Sequence, residues 1–138
     1  MHIHLVMELT VITAKSSLAA IAFLALVLPA TQGHAESYPK LIEQGYKTST
    51  MTRGASGSFG WKVSNGEKKY FCRLKASTAY VGSTGMVSLT SSGRQIKLDR
   101  KTFDSQIGGP DANIPQLADL KAGKPKDRNV GACSPIKL

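Results

Sequence analysis

Between residues 58 and 75 apolar and polar positions alternate. Phe59, Trp61 and Val63 are interleaved with Gly60, Lys62 and Ser64, and Tyr70, Cys72 and Leu74 with Phe71, Arg73 and Lys75. A period of two is that of a strand with one buried face. Asn65-Gly66 stands between the two runs and supplies the positive-φ pair of a type I′ hairpin turn. A two-residue loop predicts the register: Trp61 opposite Tyr70, Phe59 opposite Cys72 and Val63 opposite Lys68. Phe59, Trp61, Val63, Tyr70, Cys72 and Leu74 then share the core face. The outer face carries Lys62, Lys69, Arg73 and Lys75 with only Glu67 to offset them, and places Lys62 directly across from Lys69.

A second hairpin is expected over residues 86–99, turning at Ser92-Gly93, with Val87 facing Leu98 and Leu89 facing Ile96. Upstream, residues 38–44 predict a short helix, with Ser37 before it, Pro39 in its first turn and Gly45 to end it. Residues 46–52 are rich in β-formers and predict a first strand, followed by the glycine-rich turn RGASGSFG. From residue 105 glycine and proline accumulate. One or two helical turns are expected over 115–121, capped by Asn113 and ended near Gly123, within an otherwise irregular C-terminal wrap.

The fold class that follows is α+β and mainly antiparallel β. A short N-terminal helix precedes a four- or five-stranded antiparallel sheet built from two hairpins, and an irregular segment closes the chain. A one-sided sheet needs a cover, for which Leu41, Ile42 and the segment around Cys133 are the candidates.

The first 35 residues read differently. Residues 16–30, SSLAAIAFLALVLPA, are apolar but fall short of the roughly 20 residues that span a bilayer core. Lys15 precedes them, Pro29 ends them, and Gly33 and Ala35 are the small residues of a processing site. They are read as a signal peptide cleaved after Ala35, which leaves residues 36–138 as a single small domain without a transmembrane helix, exported to a periplasm or secreted. Glu8 near the start makes Met7 an alternative initiation point. With no cysteine behind the apolar core, a lipoprotein anchor is not expected.

Cleavage would remove His2, His4 and His34, all the histidines of the chain. The mature domain would then lack the commonest general base and the commonest metal ligand. Both cysteines remain. Cys72 and Cys133, delivered to an oxidising compartment, are expected to form one intramolecular disulfide, which spacing distinguishes from a redox CxxC couple.

Other candidate chemistry is weak. S-x-x-K occurs at Ser37–Lys40 and Ser134–Lys137, without the further motifs of penicillin-recognising enzymes. Gly54, Gly57 and Gly60 suggest a phosphate nest near Arg53 and Lys62, but no Walker or dinucleotide pattern surrounds them, and a plain inter-strand turn is the simpler reading. Asp99, Asp104, Asp111, Asp119 and Asp127 lack calcium-loop spacing. The expectation is a non-enzymatic protein with no cofactor and no metal.

Charge then shapes the functional reading. The chain holds 18 Lys+Arg against 9 Asp+Glu, and losing Lys15 with Glu8 leaves the net charge at +9. Basic residues concentrate in 62–75, 94–101 and 121–137. Such a field attracts polyanions, so the expected partner is an anionic envelope or extracellular component such as lipopolysaccharide, an acidic glycan or an anionic lipid surface. Lys62, Lys69, Arg73 and Lys75 are the proposed anion-binding contacts. Among aromatics only Phe71 joins them on that face, too few for single-stranded nucleic acid. The alternative is a protein-interaction or inhibitor module that engages another exported protein through a sheet edge or the loop 53–60.

Overall fold

The computed structural model describes residues 35–137, so the expected leader lies outside the described residues apart from Ala35. Helix α1, Tyr38–Glu43, leads into the short strands β1, Lys47–Thr48, and β2, Thr52–Arg53. Strands β3, Phe59–Ser64, and β4, Lys69–Leu74, form the predicted first hairpin, and β5, Thr78–Val81, β6, Gly85–Leu89, and β7, Gln95–Lys97, follow. Helices α2, Arg100–Ile107, and α3, Leu117–Lys121, and a 3-10 turn at Asp127–Asn129 precede the last strand β8, Val130–Pro135. The class is therefore α+β and mainly antiparallel. No helix among the described residues is long and apolar enough to cross a membrane.

The strands make two sheets. Sheet A has five strands in the order β1-β3-β4-β8, with β2 also paired to β3. Sheet B has three, in the order β5-β6-β7. The second hairpin thus belongs to a sheet of its own, and sheet A is completed by β8, where the sequence showed only irregular chain. That irregularity holds from Gly108 to Lys126, apart from α3, and ends where Val130 pairs with Leu74.

Both hairpins depart from the predicted register, with different consequences. In the first, Trp61 pairs with Cys72, Val63 with Tyr70 and Ser64 with Lys69, a slip of two residues. The cause is local. Asn65 does not adopt positive φ, as a type I′ turn demands. Its side-chain Oδ1 instead accepts the amides of Glu67 at 2.9 Å and Lys68 at 2.7 Å, which enlarges the loop to residues 65–68. A two-residue slip preserves side-chain parity, so the expected core face stands. Lys62, however, lies across from Phe71 and not from Lys69.

In the second hairpin the slip is one residue. Thr90 and Arg94 close a three-residue loop in which Gly93 takes φ +81°, and Val87 pairs with Lys97 and Ser88 with Ile96. An odd slip turns every β7 side chain over. Ile96 accordingly lies 43% exposed instead of packing on Leu89.

The core sits on the inner face of sheet A. Trp61, Val63, Cys72 and Cys133 are fully buried there with Leu41 of α1, Leu117 and Leu120 of α3, and Ala79 and Leu89 of sheet B. Trp61 anchors the cover, because its indole Nε1 donates to the carbonyl of Leu120 at 2.8 Å and so ties α3 to the sheet. Leu41 covers the sheet as expected, whereas Ile42 points outward at 40% exposure. Helix α3 starts after Gln116, not at Asn113.

On the far side of sheet B, buried Tyr80 and Met86 face the α2 region. The Tyr80 hydroxyl donates to Asp104 and accepts from the Asp111 amide, and the Arg100 guanidinium lies 3.9 Å from the centre of the Tyr80 ring. This polar clamp holds a helix with no buried residue of its own. Cys72 and Cys133 form the expected disulfide between directly opposed positions of β4 and β8. The amide and carbonyl of Cys133 both turn the other way, to Glu36, so the cysteines occupy a non-hydrogen-bonded pair, the kind that brings side chains closest.

Candidate functional site: a basic groove floored by Phe71

Because one face of sheet A is core, its alternate positions form an outer face: Lys69, Phe71 and Arg73 from β4, Gly60, Lys62 and Ser64 from β3, and Ser134 from β8. A groove of about 670 Å³ lies on this face. Phe71, Lys62 and Arg73 line its sheet side, the turn Gly54–Ser56 one flank, and the segment from Ser134 to Lys137 another. This volume falls within the range of small-ligand sites.

The position of the Phe71 ring explains two of the glycines. A Cβ at Gly54 would lie 2.5 Å from ring atom Cε1, and one at Gly60 would lie 2.6 Å from Cζ and also overlap the carbonyl oxygen of Cys72. The ring therefore rests where side chains at 54 and 60 would otherwise stand. Two of the loop's amides are committed as well, since Gly54 N–H donates to Ser58 and Gly57 N–H to Gly54. RGASGSFG thus makes a turn that leaves room for an aromatic floor.

The proposed cations divide among three places. Lys62 is the cross-strand partner of Phe71, and Arg73 that of Gly60, so the two are diagonal neighbours, roughly 7–8 Å apart along the backbone geometry of such pairs. Both line the groove. Lys69 shares the outer face but does not line the groove, and its carbonyl accepts the amide of Ile136. Lys75 lies beyond β4, where it borders a smaller hollow of about 210 Å³ with Ser58, Leu89 and Thr90. Between Cys72 and Leu74 the pairing has a bulge, with an extra residue on β8, and Arg73 borders both hollows there.

Lys137 adds a third cation that sequence reasoning did not assign to this face. It had no signal, because only the pairing of β8 with β4 brings the C-terminal segment here. Arg53 also borders the groove, but its guanidinium is turned onto the Phe59 ring at 5.7 Å. Among the described residues, no acidic side chain lines the groove. Ion pairs among the described residues are confined to Lys40 with Glu36 and Arg100 with Asp104, so Lys62 and Arg73 have no carboxylate partner there.

Other hollows offer less chemistry. The space beside α2, about 480 Å³ and lined by Phe103, Ile107, Pro110 and Ile114, has Asp111 as its only charged lining residue among the described residues. No cluster of His, Cys, Asp and Glu suited to a metal ion occurs among the described residues. The chain matches no protein-family model, no curated protein and no solved structure.

Proposed function

We propose that this chain is a small exported, non-enzymatic binding module that holds an anionic envelope or extracellular component in the groove on sheet A. One observation carries the reading: Lys62 and Arg73 flank Phe71 in a concave site that has no acidic side chain in its lining among the described residues. Two unpaired cations held near each other by a rigid sheet repel, and an anion seated between them relieves that repulsion while gaining charge-assisted hydrogen bonds. The fully buried disulfide fits a domain that folds where disulfides persist. The net charge of +9 supplies long-range attraction, and the groove supplies the place where it is used.

The test compares charge-matched variants on a sulfated polysaccharide column under a salt gradient. Lys62→Gln with Arg73→Gln and Lys69→Gln with Lys75→Gln remove the same charge, so a diffuse field would shift both pairs equally. The groove pair is expected to elute at clearly lower salt than the other. Equal elution of the two double variants refutes the site.

A further inference from the structure

The lining of the groove is more specific than its charge. Lys62, Arg73 and Lys137 line it, and the Phe71 ring, Ala55, Pro135 and Ile136 give it an apolar stretch beside the hydroxyls of Ser56 and Ser134. A site built for bare phosphate or sulfate surrounds the anion with donors, typically backbone amides. Here the Gly54 amide is already bonded to Ser58, the Ser56 hydroxyl shares a hydrogen bond with that of Ser58, and the Ile136 amide donates to Lys69 at 2.8 Å. A plain anion could pair with the rim, yet it would leave the floor wet.

Resting on the anion-binding reading above, we infer that the ligand is an amphiphilic anion: a single aliphatic chain carrying a sulfate, phosphate or carboxylate head. The head pairs with Lys62 and Arg73. The chain lies along Phe71 toward Pro135 and Ile136, replacing water on this apolar floor. A continuous bilayer surface fits less well, because the floor lies in a concavity between the 54–56 turn and the 134–137 segment. The exposed large apolar side chains Ile42, Val81, Ile96 and Ile107 belong to α1, β5, β7 and α2 and are not part of the groove. Single-stranded nucleic acid fits less well too, since it stacks successive bases and the groove offers one aromatic ring.

Calorimetric titration with hexyl, octyl and decyl sulfate, each below its micelle-forming concentration, tests this on the disulfide-bonded domain. Each added methylene that reaches the floor tightens binding by up to about fourfold. Sodium sulfate and the neutral octyl glucoside, which carry only the head charge or only the chain, are expected to bind at least about tenfold more weakly than octyl sulfate. Lys62→Gln lowers affinity for the whole series and leaves the ratio between chain lengths unchanged. Phe71→Ala flattens that ratio, and Ile136→Ser, outside the strands and with its backbone bond retained, does so in part without burdening folding.

Affinity independent of chain length, sulfate binding as tightly as octyl sulfate, or octyl glucoside matching it would each overturn the inference. So would binding confined to vesicles of phosphatidylglycerol with no uptake of the monomeric amphiphile. If the polysaccharide column still separates the two double variants in such a case, the anion-binding reading survives and only the amphiphile is wrong.

Discussion

Gly54 and Gly60 both make room for Phe71, but they should respond differently when that ring is removed. Neither has positive φ, so an alanine meets steric resistance and no backbone strain. At position 54 the obstructing atoms all belong to the Phe71 side chain. At position 60 the nearest obstruction is the backbone carbonyl of Cys72, with the ring second. Overpacking of this kind costs about 1–3 kcal/mol. Gly54→Ala is expected near the lower end, since a ring can swing aside, and Gly60→Ala near the upper end, since a strand cannot. In a Phe71→Ala background, Gly54→Ala should become neutral or slightly stabilising, by up to about 1 kcal/mol, through the reduced freedom of the unfolded chain. Gly60→Ala should retain most of its cost. Urea unfolding followed by the fluorescence of Trp61, the chain's only tryptophan and fully buried, gives both double-mutant cycles. A Gly60→Ala penalty that disappears with the ring, or a Gly54→Ala penalty that does not, refutes the assigned obstructions.

Two further outcomes follow from other contacts. Replacing Cys72 and Cys133 by alanine opens a cross-link between residues 61 apart in sequence and should cost about 4 kcal/mol in the chain-entropy estimate, read as a shift in urea midpoint; a loss below about 1 kcal/mol would contradict it. The Thr102 hydroxyl, 2.6 Å from Asp99 Oδ2, holds the Asp99 carboxyl below its ordinary range. A lowered folded-state pKa means a contribution present above the unfolded pKa and lost as pH falls through the folded one, so the start of α2 should loosen only in acid. In an NMR titration Thr102→Val should move Asp99 upward, and an unmoved midpoint would reject this cause.

Parity decided what the sequence could reveal. Alternation identifies the buried face of β3 and β4 even when the turn between them differs in length by an even number of residues, because a shift of two residues returns each side chain to its own side. At Ser92-Gly93 the shift is one residue, which puts Ile96 on the other face. Strand β8 was hidden because Gly131 and Pro135 interrupt its pattern and its partner lies some sixty residues away, a distance local propensity does not cross. Helix α2 has no buried residue and therefore no apolar stripe to read; Arg100, Asp104 and Tyr80 hold it through polar contacts that form only in the folded state. Lys62, Phe71 and Arg73 were legible as one face of a hairpin. The flanks that turn this face into a groove come from a loop and the C-terminal segment, and no local pattern announces them.

The sulfur linkage lies on the hidden side of sheet A, but the residues immediately before and after it do not. Phe71 precedes Cys72, Ser134 follows Cys133, and the two are paired neighbours facing the opposite way, in the floor and flank of the groove. A covalent tie inside the domain thereby fixes the spacing of a recess outside it. Reduction would therefore be felt on both sides of one sheet, in the packing behind it and in the distance between floor and flank before it.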